Sequence, residues 1–166
     1  MKIFITGGAG YVGSKLVPIL IENQHEVTVL DLMMYGENVL DKDSKLSVFK
    51  GDIRDTKLLE EIIPGHDVVI HLACISNDPS FELNPQLGKS INLDAFEPIV
   101  KISRKNKVKR FIYASSSSVY GIKKEKNVTE KLSLVPISTY NKTKMIAERI
   151  LFSFKDKINI FSVRPA

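Results

Sequence analysis

With 166 residues, 43% of them hydrophobic and 26% charged, the chain is long enough for one well-buried domain and short for two. Its formal net charge of +5 comes from scattered lysines, which favours a solvated surface over a nucleic-acid interface. No apolar run reaches the roughly 18 residues of a membrane span, and glycines interrupt the first apolar run too early for a signal peptide. Cys74, the single cysteine, cannot form an internal disulfide, which favours a reducing compartment. Together with the charge pattern and the absence of a long apolar run, this leads us to expect a cytoplasmic protein without nucleic-acid or membrane partners.

The first predicted element is a strand that leads directly into a glycine-rich turn. Lys2–Thr6 is a short run typical of a buried strand, and residues 7–10 read GGAG. A helical pattern follows over about residues 11–23, with Pro18 inside it. The glycines let backbone N–H groups approach a pyrophosphate at a helix N-terminus, and Gly13 lets the helix pack closely on the strand. This order predicts a dinucleotide-binding fingerprint, although a few glycines also occur in ordinary turns.

Strands and helices are predicted to alternate along the rest of the chain. Further strands are expected at residues 26–30, 46–50, 67–72, 110–114 and 158–164. Helices are expected at residues 57–63, about 87–106 and about 139–154, and loops at residues 33–44, before residue 87 and at 122–137. Because no hairpin turn signals separate the strands, the alternation predicts right-handed βαβ units and an α/β fold with one doubly wound parallel sheet.

Acidic residues follow two of the predicted strands. Asp31 ends the second strand, where a carboxylate can bind the ribose hydroxyls of a dinucleotide; the alternative is a turn-forming aspartate. No arginine or lysine lies within three residues of Asp31, which favours NAD over NADP because a 2′-phosphate would face an uncompensated carboxylate. Asp52 and Ile53 follow the third strand, where they can contact an adenine. We assign no proton-transfer role to His71, which ends the fourth strand.

The most specific pattern is Tyr140 followed by Lys144 at the start of a predicted helix. Four residues apart, the two side chains lie on one helical face, and an ammonium beside a phenol is expected to lower the pKa of Tyr140 from about 10. Such a tyrosine can exchange a proton with a sugar or alcohol oxygen while hydride moves to or from a nicotinamide. The same spacing also occurs in ordinary surface pairs. A serine cluster after the fifth strand ends at the same sheet edge, where a hydroxyl can share the substrate oxygen.

Taken in order, TGGAGYVG, Asp31, GDIRD, HLAC, ASSSSVYG and YNKTK resemble the motifs of the extended short-chain dehydrogenase/reductase family of nucleotide-sugar epimerases and dehydratases. The resemblance spans the whole chain and implies a Rossmann-type fold, NAD as cofactor and a nucleotide-diphosphate sugar as substrate. It implies a catalytic triad of Ser116, Tyr140 and Lys144. The cofactor-binding residues that it implies are Gly7, Gly10, Tyr11, Val12, Gly13, Asp31, Asp52, Ile53, Leu72, Ala73, Tyr140 and Lys144, and no metal is expected.

The two residues at positions 117 and 118, shortly before Tyr120, favour one reaction within the family. The 4,6-dehydratases resemble T-D-E-V-Y-G there, and the decarboxylases also place a glutamate two residues before the tyrosine. This chain has Ser117 and Ser118 at those positions, without a carboxylate for elimination. Epimerisation, an oxidation at a sugar carbon followed by re-reduction on the other face, therefore fits best. A dehydratase or reductase of the same family and a non-catalytic dinucleotide-binding module are the alternatives.

The chain stops one or two residues beyond its last predicted strand. By the resemblance, family members continue into a smaller C-terminal domain that binds the nucleotide-sugar. We therefore expect residues 1–166 to be the NAD-binding Rossmann domain of a longer two-domain enzyme, with the substrate domain absent. The same resemblance makes a homodimer through the helices at about residues 87–106 and 139–154 plausible.

Overall fold

A computed structural model describes residues 1–165, and its framework is one six-stranded, fully parallel sheet. In chain order the strands are β1 (Lys2–Thr6), β2 (Glu26–Asp31), β3 (Leu46–Lys50), β4 (Val68–His71), β5 (Arg110–Ala114) and β6 (Asn159–Val163). They lie in the order β3-β2-β1-β4-β5-β6. This order confirms the predicted doubly wound α/β fold.

The strand order reverses at β1, and this reversal creates the crevice of the molecule. Thr6 is in register with Leu30 of β2 on one side and with His71 of β4 on the other. The chain leaves β1 towards β2 first and returns later to β4, so the connections diverge above the carboxyl end of β1. Ligands of open α/β sheets bind at such a switch point.

Helices cover both faces of the sheet and enclose two apolar cores. On one face, α1 (Gly13–Glu22) packs Val17 against Ile5 and Val29. On the other face, α2 (Thr56–Ile62), α5 (Phe96–Lys105) and α6 (Thr139–Phe152) enclose the larger core. Its fully buried members include Phe4, Leu30, Leu59, Phe96, Ile99, Phe111 and Leu151. Burial of each such side chain contributes about 1.5–3 kcal/mol, so these cores hold the crevice residues in place.

The long helix predicted at residues 87–106 is present but interrupted by a π-helical turn, which the sequence analysis did not predict. The structure has α4 (Pro85–Lys89), a π-helical turn (Ser90–Asp94) and then α5. Pro98 has no N–H to donate to the carbonyl of Asp94, which explains why α-helical hydrogen bonding is interrupted there. In the turn, the Ala95 N–H donates to the Ser90 carbonyl, five residues earlier. The interruption lies beside the crevice, as π-helical turns often do at functional sites.

A short helix, α3 (Asp78–Leu83), occupies part of the predicted loop before residue 87. The side chain of Asn77 caps it by accepting a hydrogen bond from the Ser80 N–H, and a proline lies in its first turn. Phe81 on α3 is fully buried, and its ring lies against Gly88 of α4. A side chain at position 88 would collide with this ring. The segment before α4 is therefore anchored.

The other boundaries agree with the predictions to within two residues. A 3-10 turn (Ser117–Tyr120) follows β5, and Pro18 lies inside α1 without ending it. No helix in residues 1–165 is long and apolar enough to cross a membrane. The same residues contain no cluster of three or more histidine, cysteine or acidic side chains that could hold a metal ion.

Candidate active site

The glycine turn between β1 and α1 is packed so closely that two of its glycines cannot be replaced. Gly7 has φ +74°, and a Cβ there would lie 2.6 Å from the Ala73 nitrogen. A Cβ at Gly13 would lie 2.2 Å from the Gly8 carbonyl oxygen. At Gly10 the nearest atom would be the Gly7 carbonyl oxygen at 3.3 Å, a tight contact that a small shift of the turn would relieve. Gly7 and Gly13 therefore shape the turn, whereas Gly10 keeps its surface open.

The first turn of α1 is exposed to solvent. The side chain of Tyr11 is 94% exposed and that of Val12 is 57% exposed. A helix N-terminus carries free N–H groups and a partial positive charge, which suit a pyrophosphate. Of the predicted cofactor residues in this segment, Tyr11 and Val12 are exposed, Gly7 and Gly10 are half-buried, and Gly13 is buried.

The carboxylate of Asp31 is held against this turn by two backbone groups. One oxygen accepts a hydrogen bond from the Ala9 N–H at 3.0 Å, and the other accepts one from the Met33 N–H at 2.9 Å. The second contact is the local turn that the sequence allowed as an alternative role. Each carboxylate oxygen has two lone pairs, so both can still accept a ribose hydroxyl. The two interpretations of Asp31 are compatible.

Asp52 and Ile53 lie at the end of β3 in different environments. The Asp52 carboxylate binds the Arg54 guanidinium, with both oxygens 3.0 Å from Nε, and this contact lowers the pKa of Asp52. Arg54 also donates to the Ser90 hydroxyl at 3.3 Å, across to the π-helical turn. Ile53 is only 6% exposed and packs in the larger core. Its side chain therefore offers little surface to an adenine.

Leu72 and Ala73 bring the end of β4 against the glycine turn. The backbone N–H groups of both residues donate to the Thr6 carbonyl at 3.0 Å. Both residues are half-buried, and Ala73 is the residue that prevents a side chain at Gly7. This geometry places them beside the accessible turn, as the sequence predicted for residues that line a cofactor.

Lys144 is buried beneath Tyr140 and fixed by the end of β5. Its ammonium donates to the Ala114 carbonyl at 2.8 Å and lies 5.0 Å from the centre of the Tyr113 ring. It lies 5.9 Å from the centre of the Tyr140 ring. The side chain is 3% exposed, so the pair is not an ordinary surface pair.

The prediction that Lys144 lowers the pKa of Tyr140 was wrong for this structure. Burial raises the pKa of the Tyr140 phenol to about 12, and negative charge at Cys74 and Asp78 adds to the effect. Phe81 of α3 packs 6.3 Å from the Tyr140 ring, measured between centroids, and contributes to this burial. The lysine ammonium is held on the Ala114 carbonyl and does not offset the desolvation. The phenol is consequently protonated at neutral pH.

Ser116 is connected to the helix that carries Tyr140 through two further side chains. Its hydroxyl lies 2.6 Å from the Ser118 hydroxyl, which donates to the Asn141 side-chain carbonyl. Asn141 directly follows Tyr140 in the first turn of α6. The structure therefore joins the serine turn after β5 to the tyrosine helix. Sequence reasoning missed this contact because residues 118 and 141 are far apart in the chain.

Asn92 and Glu148 are further residues that the sequence analysis missed. Asn92 is 3% exposed; its side chain donates to the Ile75 carbonyl and accepts from the Ile75 N–H, which fixes the segment after β4. Nothing local in the sequence indicates this role. Glu148, also buried, binds Arg164. Its position four residues after Lys144 was an available signal, because it continues the buried face of α6.

His71 is a buried structural residue. Its Nδ1 lies 2.7 Å from the Thr6 hydroxyl, and the rings of Phe96 and Tyr113 surround it. Burial lowers the pKa of His71 to about 3, and the positive charge of Lys144 adds to the shift. The imidazole is therefore neutral at physiological pH and lies in the core next to the switch point.

Known proteins resemble this chain along nearly all of its length. Residues 3–166 match the model of the NAD dependent epimerase/dehydratase family. A UDP-glucose 4-epimerase of Lactobacillus helveticus is 34% identical over 153 residues, which is 91% of this chain and 46% of that protein. The chain thus spans about half the length of the curated relatives that it matches.

Two solved structures share the fold. The UDP-N-acetylglucosamine 4-epimerase of Methanobrevibacter ruminantium, solved with UDP-N-acetylmuramic acid, superposes with a TM-score of 0.91 at 30% identity, over 98% of this chain and 54% of that one. The UDP-glucose 4-epimerase of Thermus thermophilus, solved with NAD, gives a TM-score of 0.88 at 26% identity, over 99% of this chain and 54% of that one. The resemblance predicted from the motifs is confirmed: the chain belongs to the NAD dependent epimerase/dehydratase family.

Proposed function

We propose that the protein is an NAD-dependent nucleotide-sugar epimerase, which oxidises a sugar carbon transiently and reduces it again on the opposite face. The observation that carries the proposal is the Tyr140–Lys144 pair: Tyr140 is half-buried, and the buried Lys144 is held on the carbonyl that ends β5, at the edge of the sheet where the glycine turn follows β1. The 4-epimerases among its relatives make a UDP-sugar and its C4 hydroxyl the first substrate to test. Because those relatives are about twice as long, we propose that this chain supplies the NAD-binding domain.

The residues above β1 fit a dinucleotide. The turn around Gly10 has an open surface, the N-terminus of α1 is exposed, and Asp31 retains free acceptor positions beside it. In the proposed complex the turn and the first residues of α1 hold the pyrophosphate, and Asp31 holds the adenosine ribose. Leu72 and Ala73 would line the site, and Asp52 together with the backbone of Ile53 would contact the adenine. Oxidised NAD supplies a hydride acceptor when bound.

The family resemblance assigns roles to Ser116, Tyr140 and Lys144, and we propose the same roles here. Tyr140 accepts the proton of the sugar hydroxyl when the carbon is oxidised and returns it on re-reduction. A pKa of about 12 is too high for that role, so positive charge near the phenol is required. Lys144 would supply one such charge once a ligand is bound, and its ammonium would hold the nicotinamide ribose. Ser116 holds the same sugar oxygen by a hydrogen bond.

The two serines before Val119 favour epimerisation over dehydration. Ser117 and Ser118 carry hydroxyl groups where the family resemblance places the acids of an elimination. Dehydration needs an acid and a base to remove water from neighbouring carbons, and neither side chain titrates near neutral pH. A dehydratase or reductase is therefore the second candidate, and a dinucleotide-binding module without catalysis is the third.

A turnover assay on the full-length protein tests the proposal. UDP-glucose, UDP-N-acetylglucosamine and the corresponding GDP- and dTDP-sugars are each incubated with the protein and NAD, and products are separated from their epimers by chromatography. We expect epimer formation that Tyr140→Phe abolishes. Loss of water from the sugar would instead support a dehydratase. NAD binding without turnover of any sugar would support the binding module.

The proposal also covers the cellular compartment and the oligomeric state of the protein. The single cysteine, Cys74, is consistent with a reducing compartment, and we propose a cytoplasmic location. We also propose that the protein forms a homodimer through the faces of α5 and α6 that face away from the sheet. Sedimentation of the full-length protein tests the dimer.

A further inference from the structure

A chain of three hydrogen-bonding side chains leads from Ser116 into the first turn of α6. The Ser116 and Ser118 hydroxyl oxygens are 2.6 Å apart, and the Ser118 hydroxyl donates to Oδ1 of Asn141 at 2.5 Å. Asn141 is only 7% exposed, and its backbone N–H donates to the Ser138 hydroxyl, the N-cap of α6, which fixes the main chain at this position. We name this set, Ser116, Ser118 and Asn141, the serine relay.

Counting protons fixes the direction of the serine relay. A serine hydroxyl has one proton, and that of Ser118 is given to Asn141. The proton in the 2.6 Å contact between the serines must therefore come from Ser116. The Ser118 N–H also points at the Ser116 oxygen, at 3.2 Å. In this direction Ser116 has no proton left for a substrate and can only accept a hydrogen bond.

The opposite direction needs only a half-turn of one side chain. Rotating the Asn141 carboxamide by about 180° presents its NH₂ group to Ser118. Asn141 then donates to Ser118, Ser118 donates to Ser116, and the Ser116 proton is free for a substrate oxygen. A carboxamide is the side-chain group at this position that can support both directions, since it carries a donor and an acceptor of similar size.

We propose that Asn141 is a positioning residue which, through Ser118, sets whether the Ser116 hydroxyl donates or accepts a hydrogen bond. This inference rests on the proposed function, because epimerisation passes the same sugar oxygen through two chemical states. As a hydroxyl the oxygen can donate or accept, but as a ketone it can only accept. Ser116 must therefore donate when the ketone forms, and the relay must be free to take the direction that allows it.

Replacement of Asn141 by aspartate tests the proposal because the two side chains have the same shape. An ionised carboxylate only accepts hydrogen bonds, so Asn141→Asp locks the relay in the direction that leaves Ser116 without a proton. We expect kcat to fall on the order of 100-fold, the size of effect seen when one hydrogen bond to a developing oxyanion is lost. The loss should diminish at lower pH, as the carboxyl becomes protonated. Asn141→Ala removes the acceptor and leaves Ser118 free to turn, so its loss should be about threefold.

A merely structural role predicts the reverse order, since alanine leaves a cavity and aspartate does not. Asn141→Asp also adds a charge beside Tyr140, and the double variant Asn141→Asp/Ser118→Ala separates this effect. Without the Ser118 hydroxyl no chain of hydrogen bonds connects the carboxylate to the Ser116 hydroxyl. The double variant should therefore recover to the rate of Ser118→Ala alone. If the double variant is as slow as Asn141→Asp, the charge acts directly and the proposal is wrong. Ser117→Ala, whose hydroxyl lies outside the relay, is the matched control.

The relay can also be observed without catalysis. In ¹⁵N-labelled protein, the side-chain amide signals of Asn141 are identified by their loss in Asn141→Asp. They should shift in Ser118→Ala and in Ser116→Ala but keep their position in Ser117→Ala. Unmoved signals in both relay variants overturn the proposal. If the signals shift but wild-type protein turns over no sugar, the proposed function fails while the relay stands. If wild-type protein is active and Asn141→Asp retains more activity than Asn141→Ala, the relay proposal fails while the function stands.

Discussion

Arg164, just after β6, forms a two-pronged ion pair with Glu148 on α6. Nε of Arg164 lies 2.9 Å from one carboxylate oxygen and Nη2 lies 2.5 Å from the other, while Nη1 donates to the Tyr120 hydroxyl at 2.7 Å. Glu148 is 2% exposed. The contact joins β6, the turn after Ser116 and the helix of Tyr140 and Lys144. It therefore fixes the parts of the candidate site to one another.

Glu148→Gln should destabilise the protein strongly. The amide cannot neutralise Arg164, and an uncompensated guanidinium in a buried pair typically costs about 3–5 kcal/mol. Equilibrium urea unfolding measures this loss. Replacing both partners, in Glu148→Gln/Arg164→Met, should recover most of it, because no buried charge is then left unpaired. A double variant as unstable as the single one would show that the loss comes from packing.

The same pair makes stability depend on pH on the acid side. Burial alone would raise the pKa of Glu148, but the hydrogen bonds from Arg164 outweigh it and hold the pKa below its usual 4.5. The folded state thus binds the proton more weakly than the unfolded state does. The stabilisation is complete above about pH 4.5 and is lost as pH falls through the lower folded-state pKa. Glu148→Gln, measured over the same range, should lack this component.

His71 predicts a second pH dependence, at higher pH. Its pKa is about 3 in the folded protein and 6.5 in an unfolded chain. The unfolded state therefore gains a proton first, so stability is full above pH 6.5 and falls by about 1.4 kcal/mol for each pH unit below it. Urea unfolding between about pH 6.5 and 5 measures the slope. His71→Gln should flatten it, and equal slopes in the two proteins would assign the effect to other groups.

Most of the framework was predictable from local patterns, because buried parallel strands have short apolar runs between clear stop signals. The bounds of β1, β3 and β5 were predicted to the residue. The interruption between α4 and α5 was not predicted, although Pro98 is present in the sequence. Helical periodicity continues through the break, and the contact of Asn92 with Ile75 depends on the folded chain.

The candidate site shows the same limit. The spacing of Tyr140 and Lys144 correctly placed both side chains on one face of α6, but spacing carries no information on burial. Phe81 reaches Tyr140 from α3, a helix that was expected to be a loop. The raised pKa of Tyr140 therefore depends on a long-range contact. The serine relay is long-range for the same reason, since it joins residues 118 and 141.

Two glycine variants distinguish shaping of the turn from binding of the cofactor. In Gly10→Ala the Gly7 carbonyl oxygen, 3.3 Å from the new methyl group, is the nearest atom and has to shift only slightly, so stability without NAD should fall only a little. Saturating NAD, at about 100 times its Kd, should stabilise the wild-type protein by about 2.7 kcal/mol, or roughly 5–10 °C in Tm, and Gly10→Ala should lose most of this shift. Gly13→Ala should unfold at lower temperature even without NAD. Wild-type protein with no shift at millimolar NAD would contradict NAD binding.

The Tyr140 phenol should titrate near pH 12 in protein free of NAD, and Asp78→Asn should lower this pKa because it removes a negative charge that disfavours the phenolate. The absorbance change of tyrosine at about 295 nm measures the titration, and subtracting the curve of Tyr140→Phe isolates this residue from the other four tyrosines. Asp78 also accepts a hydrogen bond from Ser138, the N-cap of α6, so Ser138→Ala is the matched control. It breaks the same contact and keeps the charge, and it should leave the pKa raised. A phenol that already titrates near pH 9 in the wild-type protein would mean that Lys144 outweighs burial after all, and Tyr140 would then be primed for proton exchange before any cofactor arrives.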